Sequence, residues 1–541
     1  MLPQRWGRLL IKNLADCSGA TNVTGKVCIV GAGIAGLLLA SRLRSHGMRV
    51  VVLESGQKEK PESADALNAV VQLAHVYSGA TLGRFRGLGG TSSQWGGQLI
   101  PMRPEDMAAR PHVGIPAWPI EPQTLMRYLA EIEELFCLCS GTYEQNFLRD
   151  WGNDGFSPLD DPDLSLRFSK VPTFKRRNIA ALLADFIDTD IDTEVWLNAT
   201  VTEFELSREA GYLKSITAKD VNGRTLRAEA QLFVIAAGTI ESTRLLLMLD
   251  AANDGRVFNG CNALGGYFHD HISAPLAELV PTAFHRFNDA FGHYFVGTTM
   301  RSTRLELTAP AQAHDKVACA YGQVSMDTSS TSPFAMLREF LQSRQLGGTR
   351  VDPRLLIKFI RQTPYFAAVG FWRFFHKRLY WSRDATFRLH VAIEQVPFLG
   401  NRILLSAKRD ALGAPMVAVN WRQCETELQT FRSYLRHFVS FWRRNGLENI
   451  AQLKLFSAPD DLDENTLLNL RAGDVYHPAG STRMGINSRE AVVDSELRVF
   501  GLRNLWVAST STFPSLGTAN PTLTLMMLTL RLGEHLCKFS R

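Results

Sequence analysis

Two polar side chains near the C-terminus stand in settings suited to proton chemistry. His477 lies in Tyr476-His477-Pro478-Ala479-Gly480-Ser481-Thr482-Arg483-Met484-Gly485, and Asn520 in Gly517-Thr518-Ala519-Asn520-Pro521-Thr522. A neutral imidazole, with an ordinary pKa of about 6.5, can take a hydroxyl proton near neutral pH. A carboxamide can hydrogen-bond the oxyanion that results. Each has a plainer reading as well. A lone His is commonly a satisfied structural residue, and Asn-Pro suits the cap and first position of a helix. On these segments alone both readings stand.

A second group of residues is suited to phosphate. In Gly31-Ala32-Gly33-Ile34-Ala35-Gly36, the first glycine permits a tight turn, the second lets backbone approach a pyrophosphate, and the third lets helix and strand pack closely. The helix that follows turns free N–H groups and a positive dipole end toward the anion. Glu54 stands 18 positions after Gly36, at the end of the next strand. A carboxylate there accepts hydrogen bonds from ribose hydroxyls and repels a 2′-phosphate. The alternative is a glycine turn with a surface acid. The loop Arg86-Gly87-Leu88-Gly89-Gly90-Thr91-Ser92-Ser93-Gln94-Trp95-Gly96-Gly97 offers more close backbone approach and hydroxyl donors. It reads equally as a phosphate or ring cradle and as a plain loop. In Phe233-Val-Ile-Ala-Ala-Gly238-Thr-Ile-Glu241, a buried-type strand runs through small residues into a helix, either as an ordinary βα unit or as room for a cofactor across the strand end.

These residues need elements to hold them. Val27–Val30 is apolar throughout and reads as a strand, followed by a helix around Leu37–Leu43 and a second strand, Arg49–Leu53. That is the strand, turn, helix and strand of a dinucleotide-binding βαβ unit. Further strands are expected within Thr193–Leu206, at Leu232–Ala236, and within Leu389–Trp421, where turns fall at Leu399–Asn401 and Ala411–Gly413. Helical periodicity marks Glu425–Arg444 and Pro521–Phe539. Residues 101–122 read as irregular connection.

The chain has 541 residues, 45% hydrophobic and 21% charged, which excludes disordered and collagen-like classes and allows a large core. Lys+Arg 59 against Asp+Glu 53 is too weak a bias over this length to indicate nucleic acid. The 8 Cys show no zinc-type or haem spacing, so no metal is expected and the thiols read as reduced and mostly buried. The first residues lack a sustained apolar run and no window is apolar enough to span a bilayer, so a cytoplasmic protein is expected. One stretch departs from the average. Residues 331–390 hold about eleven Lys/Arg, about three Asp/Glu and about twelve aromatics. They read as a substrate-domain insertion, with a membrane-peripheral or partner-binding surface as the alternative.

Taken together and in order, the βαβ unit, the GGTSSQWGG loop, the AAGTIES turn, HPAGSTRMG and GTANPTLT resemble the glucose–methanol–choline (GMC) oxidoreductases, over about residues 24 to 540. Phe268-His-Asp-His271, Glu394-Gln-Val-Pro397 and Asn401-Arg402 look like further landmarks. The resemblance implies an α/β fold: a doubly wound, Rossmann-like FAD-binding domain plus a substrate domain with an antiparallel sheet and helices. The expected division is residues 1–110 and 193–275 for the FAD-binding domain, 111–192 for connection and substrate-domain elements, 276–470 for the substrate domain, and 471–541 for a closing segment of the FAD domain. It implies oxidation of an alcohol with hydride transfer to flavin N5. His477 matches the family's catalytic histidine and Asn520 its partner position, while the Pro521 helix would aim its dipole at the flavin. The cofactor contacts implied are Gly31, Gly33, Ile34, Ala35, Gly36, Glu54, Ser55, Arg86, Gly89, Gly90, Thr91, Ser92, Trp95, Gly96, Val201, Ala237, Gly238, Ser509, Thr510, Thr518, Asn520, Pro521 and Thr522.

Three positions depart from the family's pattern. Gln94 stands where some relatives carry a His that attaches FAD, so non-covalent FAD is expected. Ser509 replaces a common Asp near the ribityl chain, and Trp95 a common Asn. The AAGTIESTRLLL and NPTLT forms look closest to the sugar- and glycoside-oxidising branch. The electron acceptor is left among oxygen, a quinone and a protein. The competing readings are a lyase of the same family with non-redox FAD and a membrane-peripheral dehydrogenase docked through 331–390.

Overall fold

The computed structural model describes residues 9–58, 66–147, 161–184, 193–207, 211–345 and 362–539. Residues 1–8 of the expected first segment and 346–361 of the basic, aromatic stretch lie outside the described residues. The apolar run Val27–Val30 has no polar alternation, as suits a strand covered on both faces. All four residues are buried at the end of the strand Thr21–Val30, inside an eight-stranded sheet. To one side lie Val50–Leu53, Thr193–Leu197 and Leu9–Asn13, all parallel. To the other lies Thr225–Ile235, also parallel. Its second half pairs onward with Leu505–Val507, and its first half with the antiparallel meander Leu213–Lys219 and Thr200–Leu206. Thr21–Val30 begins earlier than its apolar run suggests because Thr21–Gly25 pair with Leu226–Ala230, a partner that local hydropathy does not reveal.

The helix Ile34–Ser45 leaves the glycine turn and packs against the C-terminal helix Pro521–Phe539. Gly36 makes the turn feasible: a Cβ there would stand 1.9 Å from the Gly31 carbonyl oxygen.

A second sheet, largely antiparallel, runs in the order Tyr294–Val296, Thr299–Leu307, Ala320–Asp327, Thr386–Glu394, His271–Pro281 and Ala451–Leu455. Leu164–Val171 pairs with Thr299–Leu307, and Gly473–Asp474 with the start of His271–Pro281. The helix Glu425–Arg444 covers it, burying Phe431, Tyr434, Leu435, Phe438, Phe441 and Trp442, the three-and-four spacing of one helix face. The architecture is therefore an α/β Rossmann-like region joined to an antiparallel-sheet domain with helices.

The strands within Leu389–Trp421 divide between sheets. Thr386–Glu394 is central in the second sheet, whereas Arg402–Arg409 and Pro415–Asn420 form a hairpin extended by Val70–Gln72. Residues 101–122, read as irregular, contain the short helices Pro104–Met107 and Pro111–Val113. Within 331–390 the described elements are the helix Pro333–Gln345, the helix Thr363–Phe371, a π-helical turn Trp372–His376 and the strand from Thr386. Among the described residues, no helix is long and apolar enough to cross a membrane.

Candidate active site

A cleft of about 240 Å³ runs along the C-terminal ends of the central parallel strands. At one end it is lined by Gly31, Gly33, Ile34, Ala35, Glu54, Ser55 and Val201, in its middle by Arg86, Gly90, Thr91, Ser92, Ala237 and Gly238, and at the other end by His477, Ser509, Thr510, Pro521 and Thr522. This is the crevice outside the carboxyl ends of the strands, where open α/β sheets take ligands. The fold thus gathers into one groove residues that span most of the chain.

The residues fit a dinucleotide. A Cβ at Gly33 would meet nothing within 4 Å, so the backbone there is bare toward the groove. Arg84 and Arg86 line the groove's middle and share the buried Glu241 with Arg244 (2.7 Å from Arg86, 3.2 Å from Arg84, 3.1 Å from Arg244). Burial alone would raise the Glu241 carboxyl, but the three guanidiniums hold it at about 2. Asp410 pairs with Arg244, so with Glu54 the charges at the groove are three cations against three anions, and Arg84 and Arg86 face its middle with the Glu241 carboxylate shared between them.

Glu54 has a role beyond the one its position suggested. Its Oε2 accepts from the Ala32 N–H at 2.8 Å, and its Oε1 from Gly56 and Gly87 at 2.9 and 3.0 Å. Three backbone donors thus occupy most of the carboxylate's four or so acceptor sites. The side chain ties the glycine turn to the following loop while it lines the groove. Glu54→Gln is therefore expected to loosen the turn itself. Its NH₂ group would face N–H donors and leave buried groups unsatisfied, at a cost of about 1–3 kcal/mol. Urea denaturation of ligand-free protein measures this, and an unchanged midpoint would reduce Glu54 to a ligand contact.

The other end of the groove holds a chain of hydrogen bonds whose direction can be deduced. The Gly517 carbonyl can only accept, so His271 Nε2, at 2.8 Å, carries a hydrogen. In neutral His271, Nδ1 is then an acceptor. It lies 3.0 Å from His477 Nδ1, which must donate. His477 Nε2 is left without a hydrogen, and its lone pair accepts from Asn520 Nδ2 at 3.0 Å. Arg304 can only donate and bonds Asn520 Oδ1, which turns the amide so that its NH₂ faces His477. Both rings are neutral near pH 7. Burial pushes His271 down to about 4, and burial with the neighbouring His271 and Arg304 holds His477 well below the usual imidazole range. The arrangement delivers one basic nitrogen, His477 Nε2, beside one N–H donor, Asn520 Nδ2, at the start of the Pro521 helix.

Backbone anchors hold this chain in place. Tyr476, just ahead of His477, has φ of 65°, a left-handed conformation that a bulky residue keeps only when its surroundings impose it. The buried Asp270 carboxylate imposes it, accepting from the His477 N–H at 2.9 and 3.0 Å, the His271 N–H at 2.6 Å and the Tyr77 hydroxyl at 2.6 Å. Glu394 accepts from the Leu516 and Gly517 N–H groups at 2.9 and 2.8 Å and pairs with buried Arg110, which fixes the carbonyl that orients His271. Asp270, His271 and His477 also form a group close enough to share a cation, with ligand atoms within 4.8 Å. Two of these groups are already committed, however: the carboxylate to three donors and His271 Nδ1 to the His477 N–H.

Several positions named from sequence do not line the groove. The Trp95 indole N–H donates to the Arg177 carbonyl at 2.8 Å, and its ring packs on Phe136. Gly89 faces Asn178, where a Cβ would stand 2.3 Å from Oδ1, and Gly36 is inside its turn. Gly96 and Thr518 are likewise off the groove; Thr518 offers its carbonyl to Arg304 at 2.9 Å. Asn520 reaches the site through His477. The Ser509 hydroxyl caps the short helix Thr510–Thr512 by accepting from the Ser511 N–H at 3.1 Å, which leaves its O–H and one lone pair for a guest.

Sequence reasoning missed Arg304, Arg110 and Tyr77, and took Asp270 and Glu394 only as landmarks. A signal for Arg304 was present. Thr299–Leu307 places Arg301, Arg304 and Glu306 in a strand whose residues are nearly all buried, and charge so placed needs a partner or a task.

Residues 397–529 match the family model described as GMC oxidoreductase, and residues 29–58 the one described as NAD(P)-binding Rossmann-like domain. Among curated proteins, the oxygen-dependent choline dehydrogenase of Chromohalobacter salexigens is 29% identical over 153 residues, covering 28% of this chain and 27% of that protein. That of Burkholderia mallei is 28% identical over 155 residues, with the same coverage. The matched stretch thus spans about a quarter of those relatives. Among solved structures, pyridoxine 4-oxidase from Mesorbium loti shares the fold with a TM-score of 0.55 at 16% identity, covering 94% of this chain and 98% of that one. Aspergillus oryzae formate oxidase does so with a TM-score of 0.56 at 15% identity, covering 96% and 98%. The family match thus covers residues 397–529 of this chain, and the likeness to the solved structures is one of fold.

Proposed function

We propose that the protein is an FAD-dependent oxidoreductase acting on the CH–OH group of a small-molecule alcohol, with His477 as proton acceptor and Asn520 as oxyanion donor. The observation that carries this reading is the directed hydrogen-bond chain from Gly517 to His477, which leaves Nε2 unprotonated and accepting from the Asn520 N–H. Gly31, Gly33, Ile34, Ala35 and Glu54, with Ser55 and Val201, hold the adenosine and its phosphates. Arg86, Gly90, Thr91, Ser92, Ala237, Gly238, Ser509, Thr510, Pro521 and Thr522 flank the remainder. FAD bound there supplies the hydride acceptor. His477 Nε2 takes the hydroxyl proton, and Asn520 Nδ2, released from His477, donates to the alkoxide oxygen. The Pro521 N-terminus adds a positive dipole end.

FAD is held without a covalent bond, on the reading that Gln94 occupies the attachment position. The substrate is a sugar or glycoside-like alcohol, a reading supported by the AAGTIESTRLLL and NPTLT forms. The test is an absorbance spectrum before and after anaerobic addition of sugars, glycosides, choline, pyridoxine and simple alcohols. Bleaching of a flavin band by one of them supports the reaction and selects the class. Bleaching by choline or pyridoxine alone replaces the sugar assignment, and a flavin that no alcohol bleaches favours a lyase. A colourless protein that takes up no FAD overturns the proposal. Acid precipitation that leaves flavin on the pellet overturns the non-covalent reading.

The lowered His477 pKa sets a pH dependence. The base must be deprotonated, so the lowered His477 pKa places the acid limb of kcat/KM well below the ordinary imidazole range. The Arg304 cation contributes to that lowering. Arg304→Met is expected to move the limb to higher pH and to lower kcat more than it alters KM, because the Asn520 amide is then free to turn. A purely structural Arg304 would lower the melting temperature and leave the limb in place.

A further inference from the structure

The helix Thr363–Phe371, TPYFAAVGF, carries no charge, and none of its residues is buried. An apolar helix ordinarily buries at least one face. Here Tyr365 packs on Tyr380 at 5.8 Å, and the element is clamped at its C-terminal end. Trp372 is 4% exposed and stacks on the His285 and His376 rings, at 5.6 and 4.4 Å. Arg373 lies over Phe295 at 4.0 Å, and Arg378, buried, over Tyr294 at 3.5 Å. From this clamp Phe371, Phe374 and Phe375 project at 51%, 74% and 76% exposure, with the Phe371 and Phe375 rings 5.0 Å apart. Three large rings side by side in water on a fixed scaffold form a patch, not scattered surface apolarity.

The charges around the patch have mainly one sign. Exposed Lys377 follows these rings in the chain, and exposed Arg286 and Arg383 belong to the clamp's side, Arg286 next to His285 in the chain and Arg383 3.3 Å from the His285 ring. The acids close by are Asp289, half-buried, and Asp384, which accepts from the Ser382 hydroxyl. Across 331–390 the sequence holds about eleven Lys/Arg against about three Asp/Glu. We propose that this surface docks the protein on an anionic phospholipid bilayer, with Phe371, Phe374 and Phe375 entering the acyl boundary and Arg286, Lys377 and Arg383 held at the headgroups. Aromatic rings backed by Lys and Arg are the composition of an interfacial helix, and long cationic side chains can keep their charge in the headgroups while their stems lie in apolar surroundings. A second copy of this chain is the poorer occupant, because a two-fold contact through the same patch would set these cations against their own copies.

The test is co-sedimentation of the full chain with vesicles of phosphatidylcholine containing phosphatidylglycerol, and with phosphatidylcholine alone. Binding is expected on the anionic vesicles and is expected to weaken with salt. Each Phe→Ser replacement should lower partitioning by about tenfold, and the triple variant F371S/F374S/F375S by about a hundredfold or more. Lys377→Gln with Arg383→Gln should lower it several-fold per charge on anionic vesicles only. These side chains are exposed, so an unchanged melting temperature is expected and certifies the fold. Absence of wild-type binding overturns the proposal, as does equal binding by the triple variant. Conversion of a lipid-free dimer into monomers by the triple variant overturns it in favour of a second copy.

Discussion

Replacing His477 with alanine is expected to slow substrate-driven flavin bleaching by about 10²–10⁴-fold while the protein keeps its FAD, since a positioned base contributes about that much. The separation of the two effects follows from the site. The glycine turn and the Glu54 knot lie at the other end of the groove, and the His477 backbone, not its ring, is what Asp270 holds. Removing the imidazole takes away the unprotonated nitrogen at the end of the directed chain, with His271 Nδ1 and Asn520 Nδ2 still in place. Anaerobic stopped-flow reduction, with the flavin-to-protein absorbance ratio as the occupancy control, measures both quantities. Rapid reduction by the variant would remove His477 from the chemistry. Asn520→Ala tests the second half of the pair: a lower reduction rate assigns it the oxyanion role, and unchanged kinetics would leave it only as the cap of the Pro521 helix.

Glu394→Ala is expected to have the largest effect on stability. Glu394 is 1% exposed and pairs with Arg110 at 6% exposure. Truncating one partner of such a buried pair costs about 3–5 kcal/mol, because the other charge stays behind without compensation. The Leu516 and Gly517 N–H groups lose their acceptor as well, and the Gly517 carbonyl loses the anchor that orients His271. Activity should therefore fall along with the melting temperature. Burial would raise the Glu394 carboxyl, but Arg110 and the two backbone donors hold it at about 2, below the unfolded value of about 4.3. A group whose pKa is lowered on folding stabilises the protein above its unfolded pKa and loses that contribution as pH falls through the folded one. Wild-type stability should thus decline between about pH 4.5 and pH 2 in part through Glu394. Thermal melts of wild type and variant across that range would show the difference between them shrink on acidification. A melting temperature unchanged by the substitution at pH 7 would mean that Arg110 finds another partner.

Much of the framework was readable from local pattern. The Val27–Val30 strand, the glycine turn and the helix after it form a continuous unit in which each residue's task is set by its neighbours in the chain. The helices Glu425–Arg444 and Pro521–Phe539 were legible to the residue from periodicity and from the Pro at the start of the latter. Reading the stretch 331–390 as core insertion failed in part for a physical reason. Trp372, Trp381 and Phe387 are buried as that reading expects, but Phe371, Phe374 and Phe375 are not, and aromatic composition does not say which side of a helix a neighbour will cover.

By itself the sequence determined the residue types capable of the chemistry, His477 and Asn520, and the βαβ unit whose glycines and Glu54 suit a dinucleotide. Those follow from chemistry and short-range geometry, which the chain carries in consecutive residues. Only the tertiary structure decided that His477 is a neutral base with its lone pair at Nε2. That state depends on the Gly517 carbonyl, the adjacent Asp270 and His271, and Arg304, groups from three separate segments that the fold brings together. It likewise decided that Glu54 binds backbone as well as facing the groove, and that Trp95 packs away from it. Hydrogen-bond direction and burial are set by which atoms meet in space, and residue order does not encode that contact directly.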